Sequence, residues 1–128
     1  MVFPVVTLQS IFGVLFWPIA FLMGTPIADC TEVAQLIGTK TVLNEFIAYS
    51  DLNTMLEANP NAIEPRSIII ATYALCGFSN LGSIAIQIGG IGGIAPERRQ
   101  DLAKLGFRAM IAGSIACFMT ATIAGVLV

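Results

Sequence analysis

At 128 residues, 56% of them hydrophobic and 11% charged, with a mean hydropathy of +0.86, the chain is far too apolar for a soluble domain of its size and belongs in a membrane. A net charge of -2 with only six basic residues offers no cationic footprint for phosphates, which excludes nucleic acid as a partner. With no histidine present, a His-based metal site, a Ser/His/Asp triad and an imidazole proton relay are excluded, and protonation chemistry falls to carboxylates.

Cys30, Cys76 and Cys117 are widely spaced with no CxxC pair, so neither a zinc site nor a disulfide framework is signalled; they read as small apolar residues with free thiols. No basic n-region of a signal peptide and no lipidation motif is legible, so insertion is expected to depend on the apolar segments themselves.

Residues 5–27 are uncharged and rich in aromatics (Phe12, Phe16, Trp17, Phe21), with Pro18 in the middle. Hydropathy predicts a spanning helix, while the Pro and Trp/Phe content equally suits a helix lying at the membrane interface. Asp29 with Glu32 three residues on predicts a capping box that starts a helix near Cys30. Residues 29–52 then carry Lys40, Asn44 and Glu45 within an apolar pattern. One straight spanning helix would bring two charges into hydrocarbon, at roughly 2.5 to 3.5 kcal/mol each, unless Lys40 and Glu45 paired with each other or with a neighbour. A re-entrant hairpin folded within residues 38–45 has arms of about 12 residues, each reaching ~18 Å, and places the charges at a wet turn near the midplane.

Residues 53–65, with turn signals at Asn59-Pro60 and Glu64-Pro65, are expected to form a loop outside the bilayer. Residues 68–94 form an apolar run interrupted by residues 76–83, within a broken transmembrane helix expected over residues 66–95. Gly77 and Gly82 bracket the interruption, and a local unwinding there would leave backbone groups and polar side chains facing a cavity. Asn80 and Ser83, three apart, also fit a simpler role as bonding groups to a neighbouring helix. The glycines at 89, 90, 92 and 93 are not a phosphate loop, because no Lys-Ser/Thr follows and no strand precedes.

Most of the basic charge lies in Glu97-Arg98-Arg99-Gln100-Asp101 with Lys104 and Arg108, which makes the connection of residues 97–104 cytoplasmic and puts residues 53–65 on the opposite side. The last transmembrane helix, within residues 97–128, therefore ends outside. Its small residues Gly106, Ala109, Gly113, Ala116, Thr120 and Ala124 form a stripe on which another helix can pack. A hairpin that enters and leaves on the outer side requires the helix of residues 5–27 to finish there too, and an interfacial helix does so without crossing.

The segments LQSIFGVLFWPIAFLMG, GTKTVLNEFIAYSDL, RSIIIATYALCGFSNLGSIAIQIGGIGGIAPERR and LGFRAMIAGSIACFMTATIAGVL resemble, in order and spacing, the C-terminal region of the concentrative nucleoside transporters. The resemblance covers nearly the whole chain. It implies an all-α membrane protein: an interfacial helix, a re-entrant helical hairpin, a broken transmembrane helix and a C-terminal transmembrane helix, together one C-terminal transporter domain over residues 1–128. It also implies that Glu45, Phe78, Asn80 and Ser83 bind the ribose side of a nucleoside such as uridine, supported by Asn44, Gly77 and Gly82. Chemically this fits: a carboxylate accepts from adjacent ribose hydroxyls, Asn80 donates and accepts, Ser83 does either, and Phe78 supplies an apolar wall. Glu45 would repel a nucleotide's phosphate, so a nucleoside is the expected solute. Ser79 stands where alanine is common in the family.

The family builds its site from two inverted repeats, and this chain matches the second only. The resemblance therefore implies half a site, a partner N-terminal half, no enzymatic activity, and no cofactor or metal in this chain, with the coupling Na+ or H+ handled elsewhere in the full transporter. Integral placement in the plasma (inner) membrane and assembly as a homotrimer are expected on the same analogy. The competing expectation is a non-transporting membrane protein in which Glu45 and Asn80 only join helices.

Overall fold

Thr7 opens the first helix of the computed structural model, which describes residues 7–128: its hydroxyl accepts from the Ser10 N–H at 3.2 Å and caps α1 (Leu8–Leu22). Its 15 residues span about 22 Å, short of the ~30 Å hydrocarbon core, which disfavours a crossing by this segment. The helix stops before the expected end because Gly24, at φ 88, takes the left-handed conformation that turns the chain. Val5 and Val6, at the start of the expected helix, lie outside the described residues.

A short 3-10 turn (Ile27–Asp29) leads into α2 (Cys30–Val42). The expected capping box is not formed: Asp29 stands at the N-cap, but its side chain makes no cap bond. Its carboxylate accepts from the Glu64 N–H at 2.8 Å and from the Ser67 hydroxyl at 2.5 Å, two donors far along the chain that draw it away from its own helix.

At Leu43 and Asn44 the chain reverses. Leu43 leaves the helical region (φ -96, ψ -91), and Asn44, extended, accepts the Ile47 N–H on Oδ1 at 2.9 Å to start α3 (Glu45–Ala58). The two arms pack on each other, so this stretch is a helical hairpin and not one straight helix. Its second arm continues past the expected end at Leu52, because Leu52 is buried in the core and Met55 and Leu56 pack against it on the following turn. Only residues 59–64 of the expected 53–65 loop are non-helical.

Pro65, whose missing N–H costs nothing at a helix start, opens α4 (Pro65–Leu75). After residues 76–80 the direction is resumed by α5 (Leu81–Ile94), the two pieces being about 16 and 21 Å long. A 3-10 turn (Pro96–Arg98) leads into α6 (Arg99–Val126). Pro96–Val126 is the one stretch among the described residues long and apolar enough to cross a membrane.

The core forms where α1 packs on α2 and α2 on α4, around Val33, Ile37, Ile70 and Leu75. On α6 the packing stripe is rotated from the expected one. Gly106 meets Ile84, Gly113 meets Ser79, and Ala121 and Gly125 are buried, whereas Ala109, Ala116 and Thr120 are exposed. Steps of four from Gly113 through Cys117, Ala121 and Gly125 follow the partner helices more closely than the alternating pattern of small residues.

The α1–α2 crossing depends on Gly38, where a Cβ would collide with the Cβ of Phe12. Gly38→Ala is expected to destabilise the chain by about 1–3 kcal/mol through overpacking. Gly89→Ala, where nothing lies within 4 Å, is expected to be neutral or to stabilise by up to about 1 kcal/mol. Thermal unfolding in detergent micelles checks both; equal midpoints for the two variants would contradict the packing argument.

Candidate functional site

Two helix restarts meet where the hairpin tip touches the break, and both use the same device. Asn44 starts α3 at the tip of the hairpin, and Asn80, also extended (φ -137, ψ 168), starts α5 after the break. Asn80 Oδ1 accepts the Ser83 N–H at 2.8 Å and the Ser83 hydroxyl at 3.1 Å. Its amide nitrogen is then free to face the hairpin, and Nδ2 donates to Glu45 Oε2 at 2.9 Å. Three of the four residues expected to bind solute, Glu45, Asn80 and Ser83, are thus one bonded cluster contributed by two elements.

Asn80 and Ser83 are buried, 3% and 8% exposed, and Glu45 is half-buried. Phe78 stands apart from the bonded cluster and is 78% exposed, so its ring presents a free apolar face. The supporting residues fall close by. Gly82 lies near the Leu43 carbonyl at the hairpin tip, where a Cβ would sit 3.9 Å from the oxygen, and Gly77 takes φ 157 where a Cβ would come within 2.7 Å of Cys117 Sγ.

The break also borders a cleft of about 340 Å³, whose walls include Phe78, Ser79, Asn80, Ser83 and Gln87 on one side and Gly106, Met110 and Gly113 of α6 on the other. Glu45 does not line it; Asn80 stands between the carboxylate and the cleft. Ser79 and Gln87 were not among the residues expected to bind solute. Ser79 Oγ is buried without a hydrogen-bond partner among the described residues. Its legible signal was a polar side chain inside the interrupted stretch of residues 76–83.

Four carbonyls around the end of α4 have partners within the chain, where a broken helix was expected to leave such groups facing a cavity. The Thr72 carbonyl accepts from Tyr49 Oη at 2.6 Å, the Tyr73 carbonyl from the Cys76 N–H at 3.3 Å, the Ala74 carbonyl from Lys40 Nζ at 3.0 Å, and the Cys76 carbonyl from Cys117 Sγ at 3.0 Å. Side chains from both hairpin arms and from α6 satisfy three of them, and the cap N–H the fourth. The expected alternative pairing of Lys40 with Glu45 is absent: the one ion pair among the described residues is the surface contact Arg98–Asp101. No group of three or more His, Cys, Asp or Glu side chains able to hold a metal occurs among the described residues.

The family profile described as "Na+ dependent nucleoside transporter C-terminus" matches residues 1–125. The chain belongs to the concentrative nucleoside transporter family. It is 46% identical to human solute carrier family 28 member 3, over 98% of this chain and 20% of that protein. Among solved structures it is similar to CNTnw in an inward-facing, substrate-bound state, with a TM-score of 0.88 at 45% identity over 94% of this chain and 29% of that one. An outward-facing variant of CNTnw is matched almost equally, with a TM-score of 0.86 over the same shares. The chain therefore spans less than a third of the length of these relatives, and the arrangement of its six helices is common to both of those states.

Proposed function

We propose that this chain is the C-terminal part of a nucleoside symporter driven by Na+ or H+, and that it supplies the ribose-facing half of the solute site. The observation that carries this reading is the Glu45–Asn80–Ser83 cluster at the point where hairpin tip and helix break meet. A carboxylate and an amide held side by side match the adjacent hydroxyls of a ribose, which donate to one and exchange bonds with the other. Phe78, with its exposed ring, gives an apolar surface for the rest of the solute. The role is binding and passage, with no covalent chemistry.

The hairpin is re-entrant and α1 lies at the interface, since neither α1 nor a hairpin arm of 13 or 14 residues is long enough to cross. The basic connection before α6 is cytoplasmic, so α6 ends outside, in the plasma (inner) membrane. The near-equal match to inward- and outward-facing relatives supports hairpin and broken helix moving as one body against a scaffold supplied by an N-terminal half, in a homotrimer. A second reading, helix association without transport, draws support from the direct bond between Glu45 and Asn80, which satisfies both groups without a solute.

Uridine titration by calorimetry separates the two. The chain alone is expected to bind weakly or not at all and to transport nothing. Co-expressed with an N-terminal half from a relative, it is expected to bind, with Glu45→Gln lowering affinity at least about 10-fold through loss of charge-assisted bonds. Unchanged affinity in Glu45→Gln, or no binding by the assembled protein, overturns the solute-site reading.

A further inference from the structure

Lys40 is the largest fully buried side chain among the described residues, 1% exposed, in the last turn of α2. An ammonium withdrawn from water carries a large desolvation cost, so its surroundings must offset the charge. The offset lies in another element. Nζ donates to the Ala74 carbonyl at 3.0 Å, one of the last carbonyls of α4, where the summed peptide dipoles leave partial negative charge.

Around it stand the thiol of Cys117, itself bonded to the Cys76 carbonyl, then Glu45 and the Cys76 thiol. Tyr49, on the other hairpin arm, bonds the Thr72 carbonyl two residues earlier. Lys40 and Tyr49 thus straddle the hairpin tip and grip the same helix end. Of the two, only Lys40 brings a charge.

We propose that the carbonyl end of α4 is a monovalent-cation place whose resident ion is the tethered ammonium of Lys40. In this role Lys40 is a positioning residue: by holding the end of α4 against the hairpin it fixes where residues 76–80 begin, and so holds Asn80 opposite Glu45. The inference stands on the hairpin–break geometry and does not depend on what solute, if any, the cluster binds. Its chemistry is specific. Whatever fills the place must be cationic, able to donate to a carbonyl, and about as slender as an alkylammonium.

Cutting the tether tests this. In Lys40→Ala the atoms removed correspond to n-propylammonium, so thermal unfolding of the chain in detergent is followed with increasing n-propylammonium chloride, and with n-propanol as the neutral molecule of matching length. Lys40→Ala and Lys40→Met are both expected to lose roughly 10 °C in Tm, since Met restores most of the volume without the charge. Propylammonium is expected to recover most of the loss in Lys40→Ala, to leave the wild-type chain unaffected, and to be unmatched by propanol. If Lys40→Ala does not fold unaided, recovery of its cooperative transition by the amine and not by the alcohol reads the same difference. A wild-type Tm for Lys40→Met, no recovery with propylammonium, or equal recovery with propanol each overturns the proposal.

Discussion

Asn80→Ala is expected to lower stability by about 2–4 kcal/mol and, in the assembled site, to weaken uridine binding about 100-fold or more. One side chain performs three tasks: Oδ1 accepts the Ser83 N–H and the Ser83 hydroxyl, and Nδ2 donates to Glu45. Loss of an N-cap costs about 0.5–2 kcal/mol, and leaving a half-buried carboxylate without its donor about 1–3. Asn80→Asp separates these contributions. Aspartate caps as well as asparagine, so the start of α5 survives, but a second carboxylate then faces Glu45 where a donor stood, and solute binding should fall as far as in the alanine variant. Denaturation in detergent gives the first quantity and uridine calorimetry on the assembled protein the second. Equal stability of the Ala and Asp variants would show that the cap contributes little; full uridine affinity in Asn80→Asp would remove Asn80 Nδ2 from the site.

The helical content and the order of the elements were legible because they rest on local signals: apolar runs of the right length, the turn signals at Asn59-Pro60 and Glu64-Pro65, and the polar interruption within residues 76–83; the stop at Gly24 was not among the signals used. The hairpin tip was legible from the placement of Lys40, Asn44 and Glu45, although physics alone also allowed a straight helix with an ion pair. Partners were not legible. Lys40 bonds a main-chain carbonyl 34 residues away and Asp29 a serine 38 residues away, and a carbonyl leaves no trace in a sequence. The capping rule at Asp29 failed for that reason: a local rule sees only the adjacent helix, while two distant donors held the carboxylate more strongly. The same rule would have succeeded at Asn44 and Asn80, whose side chains do cap the helices they precede. On α6, composition marked the small residues, but which of them face α4 and α5 is fixed by the crossing geometry. Ala121 and Gly125 were therefore missed.

At the opposite end of α4 from the break, Asp29→Ala is expected to be the most destabilising single change among the polar residues, at about 3–5 kcal/mol. The carboxylate is 6% exposed and accepts two bonds, each worth about 1.5–3 kcal/mol when the acceptor is charged. Its removal also strands the Ser67 hydroxyl, which is fully buried. Through those bonds the start of α2 holds the start of α4, so the register between hairpin and broken helix is fixed at this end by Asp29 and at the other by Lys40 and Tyr49. Both bonds fall on Oδ2, so Asp29→Asn keeps the acceptor without its charge and should lose about half as much. A double-mutant cycle with Ser67→Ala, read by denaturation, is expected to return a coupling energy of about 1–3 kcal/mol. Additive losses would mean that the two side chains are neighbours without being partners. If instead Asp29→Ala unfolds no more readily than the wild-type chain, the helix starts are held by apolar packing alone, and the hairpin would then be free to shift against α4 without breaking any polar link at this end.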